Sequence, residues 1–158
     1  MVNETVSDKT AGYKLFRKFE WRGFGFRSDL ISGDYMRRWV VKTPWFLVRL
    51  HHIMRGDSDR HFHDHPFDFV SFILRGGYVE YTPERGPRAF KPGDVVVKKA
   101  TDLHYLKLID GPAWTLVFAS PYYREWGFKT ECGWVPASEY DAWLAQESLK
   151  KFVPAGVI

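Results

Sequence analysis

Between residues 45 and 119 the chain runs as a close series of short apolar segments, each ended by a glycine or proline turn. Strand candidates at 45–54, 69–74, 78–82, 95–98, 104–108 and 113–119 are divided by Gly56-Asp57-Ser58-Asp59, Gly76-Gly77, Pro83 to Pro87, Pro92-Gly93-Asp94 and Asp110-Gly111-Pro112. Segments this short cannot lay an amphipathic helix on a core. Strands at such spacing instead close into a sandwich, jelly roll or barrel. The N-terminal part, 1–44, carries Gly12, Gly23, Gly25 and Gly33, which break every candidate helix. It reads as loops and one or two edge strands wrapping the core. The one helix expected spans 138–152, opened by Ser138 and Asp141 in the manner of a capping box. Its Tyr140, Trp143, Leu144 and Phe152 form an apolar stripe suited to core packing.

A length of 158 residues suits one domain, 1–158, with its motif-bearing part at about 45–120. The 13 Phe, 8 Tyr and 7 Trp supply bulky rings for an interior or a pocket. No apolar run approaches the roughly 20 residues of a membrane helix, and the polar start MVNETVSDKT lacks the core of a secretory signal. The single cysteine, Cys132, permits no internal disulfide. A cytoplasmic protein with no membrane partner is the expectation. The net charge of +4 is spread over isolated pairs such as Arg37-Arg38 and Lys98-Lys99, so a nucleic-acid partner is not expected either.

The histidines carry the functional reading. All six lie between residues 51 and 104. On a strand His61 and His63 project to one face, because side chains alternate with a period of two. His104 follows the turn residue Gly93 by one strand and one tight turn, so it can enter the same point from a neighbouring strand.

These residues resemble the cupins, whose first motif reads G-x5-HxH-x3–4-E-x6-G and second G-x5-P-x-G-x2-H-x3-N. Here the first becomes Gly56-x4-His61-Phe62-His63-x4-Asp68-x7-Gly76, and the second Gly93-x5-Lys99-x-Thr101-x2-His104-x3-Leu108. The second keeps its spacing in full. The first is one residue short before His61 and one long before Gly76, with Asp68 where the family has Glu. The resemblance implies a double-stranded β-helix or jelly-roll barrel with a C-terminal α-helix. It further implies a divalent metal on His61, His63, Asp68 and His104. Asp64 or His65 is an alternative to Asp68, and His65 has an equally good structural role at the turn before Pro66. Imidazoles with one carboxylate suit Fe, which is preferred, or Zn, Ni or Mn.

Around the metal three residues are candidates for catalysis: Arg49, Tyr78 and Glu80. Arg49 and His51 share one face of their strand. Facing inward, Arg49 would grip a carboxylate or phosphate; in the other register it is a surface residue. Tyr78 and Glu80 share a face and are placed for proton transfer if they face the metal, whereas a solvent-facing Glu80 is the commoner arrangement. The segment 120–128 is a lid or an edge of the pocket, or else it packs the helix onto the barrel, which is favoured. The expected function is a metal-dependent enzyme acting on a small polar or anionic molecule, with oxygenase chemistry preferred. A sugar isomerase or epimerase and a non-catalytic ligand-binding cupin are the alternatives. A homodimer is expected, because the aromatic segment from residue 16 to 26 needs a surface to bury against.

Overall fold

A computed structural model describes residues 14–31, 33–57 and 61–152, with side chains described from 18 to 149 within those spans. Readings that fall on 1–13, on 153–158 and on the side chains of Phe16 and Phe152 lie outside the described residues. In chain order the elements are β1 (Lys14–Trp21), β2 (Phe24–Ile31), β3 (Met36–Lys42), β4 (Leu47–Ile53), β5 (Phe62–His63), β6 (Phe69–Arg75) and β7 (Tyr78–Thr82). There follow β8 (Gly86–Phe90), β9 (Val95–Lys98), β10 (Tyr105–Leu108), β11 (Ala113–Ala119), β12 (Gly127–Thr130), β13 (Gly133–Pro136) and α1 (Tyr140–Phe152). The strands form a seven-stranded sheet in the order β1-β2-β3-β4-β11-β6-β9 and two three-stranded sheets, β10-β7-β8 and β13-β12-β5. The architecture is the expected all-β one with a C-terminal helix.

The large sheet faces β10-β7-β8 across a shared core. Ile53, Ile73, Val96 and Ala113 from the first pack on Tyr78, Phe90 and Leu106 from the second. Burying side chains of this size contributes roughly 1.5–3 kcal/mol each. At the corner between β6 and β7 the chain turns through Gly76, at φ 72°, and Gly77. A Cβ on Gly76 would meet the Pro112 carbonyl oxygen, and one on Gly77 would lie 2.6 Å from that of Phe90. The double glycine is there because backbone passes where a side chain would stand.

The expectation of one or two strands within 1–44 is too few. β1, β2 and β3 are full antiparallel strands that extend the large sheet beyond β4. The hairpin between β1 and β2 turns on Arg22 and Gly23, both at positive φ (46° and 84°). A two-residue turn of that kind matches the twist of its flanking strands, but Asn or Asp usually precedes the glycine, and Arg hides the signal. The outer face of this sheet carries an apolar row with one residue from every strand. The register aligns Phe19, Phe26, Val41, Val48, Phe118, Val70 and Val97 across it. Of these Phe19, Phe26, Val41, Phe118 and Val97 are exposed.

The helix begins at Tyr140, two residues later than expected. Ser138 does not cap it; its hydroxyl lies 3.3 Å from Glu125 Oε1. Glu139 precedes the first turn and accepts the Trp143 N–H at 2.9 Å. Buried Tyr140 stacks on Phe128 of β12, the ring centroids 3.7 Å apart, which fastens the helix to the third sheet. Leu144, expected in the packed stripe, is exposed. Among the described residues no helix is long and apolar enough to cross a membrane.

Candidate metal centre

The third sheet joins the second through one bridge. The His63 N–H donates to the His104 carbonyl at 2.9 Å, and the His104 N–H returns a bond to His63 at 3.0 Å. Just beyond β5 the His65 N–H donates to Ala100 O at 2.9 Å, so the chain stays extended through His65. Positions 63 and 65 therefore point the same way, and His104 meets them from the facing segment. One nitrogen from each of His63, His65 and His104 lies within 4.8 Å of the other two. His65 Nε2 and His104 Nε2 are 2.7 Å apart.

Two carboxylates stand behind these imidazoles. Glu80 Oε1 accepts from His104 Nδ1 at 2.6 Å, while its Oε2 pairs with Lys98 Nζ at 2.9 Å. Asp57 Oδ2 lies 3.5 Å from His63 Nδ1. Asp57 also accepts the Leu106 N–H and the Tyr35 hydroxyl. A proton held on the outer nitrogen by a carboxylate leaves the inner nitrogen's lone pair for a metal and fixes the ring orientation. Burial holds His65 and His104 well below the ordinary imidazole range, and neighbouring imidazoles and cations push the same way. Both rings are thus neutral, the form that ligates. Burial raises the Asp57 carboxyl, against the opposing pull of His63, the Leu106 N–H and Tyr35. Three converging imidazoles with carboxylates behind two of them fit a divalent transition ion.

The structure does not bring all of the expected ligands to this point. His61 turns outward, with Nδ1 2.8 Å from the Tyr140 hydroxyl and its ring edge-on to Trp143. Asp68 is exposed, and its Oδ1 accepts the Ala100 N–H at 2.7 Å and the Tyr123 hydroxyl at 2.8 Å. Those two bonds hold its carboxyl below the usual range, the first more strongly. Its role is to pin the loop after β9. Asp64, the other alternative, is taken up by Arg124 Nη1 (2.8 Å), the Gly127 N–H (2.7 Å) and Trp134 Nε1 (3.0 Å). The histidine set is displaced by one step of the alternation, from 61 and 63 to 63 and 65.

Glu80 is buried and faces the histidines rather than solvent. Arg49 and Tyr78 are buried too, and both line a cavity of about 550 Å³ that also contains the three histidines. Burial lowers Arg49 to about 10, so it remains a cation at neutral pH. Burial and then Glu80 push the Tyr78 phenol above its ordinary value, which keeps its proton in place. The segment 120–128 packs on the helix through Phe128 and forms an edge of the cavity through Tyr122 and Trp126. Tyr122 accepts from Arg49 Nη2 at 2.8 Å and Arg27 Nη2 at 3.2 Å. Arg27, Arg38 and Tyr122 were not among the sequence-derived candidates, because β2 and β3 were read as loops and edge strands. Cys132 is exposed and away from the cavity lining.

No protein-family model matches the sequence, and no curated protein matches it. Solved structures do match in fold. A protein with a double-stranded β-helix domain from Klebsiella pneumoniae matches over 63% of this chain and 88% of its own, with 18% identity and a TM-score of 0.51. This is the cupin fold. The DMSP lyase DddQ from Ruegeria pomeroyi also matches, over 60% of this chain, with 20% identity and a TM-score of 0.51, but the match takes in only 52% of that protein. KdgF from a Halomonas species matches over 56% of this chain and 81% of its own, with 21% identity and a TM-score of 0.48.

Proposed function

We propose that this cupin barrel is a metal-dependent enzyme acting on a small polar or anionic molecule, with iron as the ion and oxygenase chemistry as the reaction type. The observation that carries the reading is the convergence of His63, His65 and His104 inside a buried cavity, with Glu80 and Asp57 behind two of them. A divalent ion held by three imidazoles supplies Lewis-acid polarisation of a substrate oxygen and, if iron, a redox centre. The protein's own groups do the rest. Glu80 retains the proton on His104 Nδ1, Arg49 orients an anionic end of the substrate, and Tyr78 offers a hydroxyl proton as a hydrogen-bond donor. Imidazole-only ligation suits Fe, Zn and Ni, and gives Mn no carboxylate to favour it. Elemental analysis of the purified protein tests the reading: stoichiometric iron is expected. Bound zinc or nickel would replace oxygenase chemistry with an isomerase or hydrolase reaction, and protein that binds no metal would overturn the proposal in favour of an epimerase or a ligand sensor.

We also propose that the chain forms a homodimer through the outer face of its large sheet. Seven strands at about 4.8 Å spacing make the apolar row roughly 29 Å long, across the full width of the sheet. The row is continuous and exposed at Phe19, Phe26, Val41, Phe118 and Val97, and a monomer seldom leaves such a patch bare. Light scattering is expected to give twice the chain mass, reverting to the single mass in Phe118→Arg. A single mass at every concentration would remove the dimer.

A further inference from the structure

We propose that the arginine-bearing wall of the cavity is an oxyanion subsite, where Arg49 and His51 take a carboxylate or phosphoryl group of the small molecule whose other end reaches the histidine cluster. This rests on the enzymatic reading above and gives its substrate a charge and an orientation. The strand register builds the wall. On β4, Arg49 and His51 alternate inward; His51 pairs with Arg38 on β3 and with Thr115 on β11. Arg38 in turn pairs with Asp29 on β2, and all of these side chains except Asp29 line the cavity.

Charge on this wall does not balance. Buried Asp29 is shared by two guanidinium groups, Arg38 at 2.9 Å and Arg27 at 3.1 Å. Among the described residues no carboxylate pairs with Arg49, which is only 2% exposed. Its guanidinium lies over the Phe67 ring at 4.0 Å and gives one hydrogen bond to Tyr122. Arg49 therefore stands, among the described residues, as a buried cation without a carboxylate, in a site where an uncompensated charge is costly. His51 adds none, because burial and then Arg38 and Arg49 keep it neutral.

Among the described residues nothing hydrogen-bonds two buried polar atoms on the wall, Arg49 Nε and His51 Nε2. They sit two positions apart on one strand face, a spacing that lets one bound group contact both. An oxyanion satisfies the guanidinium N–H, supplies the missing negative charge, and accepts from the His51 N–H. A neutral sugar hydroxyl could accept these hydrogen bonds but would supply no negative charge. The distance to the histidines sets the size of the molecule. The Phe67 ring, 4.0 Å under the Arg49 guanidinium, has its centroid 5.9 Å from that of His65. The ligand is therefore short.

The test titrates the full-length protein with sodium phosphate and, separately, sodium acetate, against sodium chloride at matched ionic strength, following heat and thermal midpoint. Metal content is measured on the same samples. One or both oxyanions are expected to bind and to raise the midpoint where chloride does not, and the stronger of the two identifies the group. Arg49→Met should weaken that binding by about tenfold to a hundredfold, the range for losing a hydrogen bond to a charged group. Arg49→Lys, which keeps the charge and the fold if the Met variant is poorly folded, should fall between. No oxyanion binding to the wild type, or equal binding to wild type and both variants, would overturn the subsite. Metal present without an oxyanion response sinks the subsite alone; an oxyanion response without metal sinks the metalloenzyme reading alone.

Discussion

His65→Ala and His104→Ala are expected to abolish metal occupancy, and His63→Ala to cut it at least tenfold, while His61→Ala and Asp68→Ala retain the metal of the wild type. The reason is positional. Each of His63, His65 and His104 gives one nitrogen to a cluster only 4.8 Å across, and a site with two imidazoles left has lost a third of its protein ligands. His61 spends its Nδ1 on Tyr140, and Asp68 spends its carboxylate on Ala100 and Tyr123. Elemental analysis of the five purified variants decides it, with circular dichroism to confirm that each is folded. Metal lost from His61→Ala but kept in His65→Ala would return the ligand set to the one read from the motif spacing.

That contrast marks what the sequence could and could not carry. Alternation put His61 and His63 on one face, whereas the structure brings His63 and His65 together there, with His104 facing them. A period of two cannot decide between these pairs, since His61, His63 and His65 all obey it. The answer depends on where the chain leaves the sheet. The His63–His104 bridge and the His65–Ala100 hydrogen bond keep it extended to 65, whereas Tyr140, from a helix nearly 80 residues on, draws His61 away. A contact that remote leaves no local trace.

The fold was legible from 45 to 119 because Gly76-Gly77, Pro92-Gly93 and Gly111-Pro112 mark the turns themselves. It was less legible before 45, where the first hairpin turns on Arg22-Gly23 and where Arg27 and Arg38 point inward among apolar neighbours. Charged residues at inward positions look like surface until partners are known; Asp29 and the cavity are those partners. Asp57 was hidden in the same way. In sequence it belongs to a turn of four polar residues, yet it is buried against the Leu106 N–H and faces His63.

Glu80→Gln is expected to destabilise the protein by about 3–5 kcal/mol and to weaken metal binding by roughly 10–100-fold. Glu80 holds two buried groups at once, the His104 Nδ1 proton through Oε1 and the Lys98 ammonium through Oε2. Glutamine keeps the shape but not the charge. It leaves Lys98, 8% exposed on β9, as a cation with no counter-charge in a low-dielectric interior, and this loss rather than the hydrogen bond to His104 dominates the stability change. The two effects separate by construction. Adding Lys98→Met to Glu80→Gln removes the stranded cation, so urea denaturation should recover most of the lost stability. Metal affinity should stay low in the double variant, because the ring of His104 still lacks the carboxylate that holds its Nδ1 proton and orients its Nε2. Affinity restored together with stability would mean that Glu80 acts on the metal site only through the fold, and its place behind His104 would then be a matter of packing.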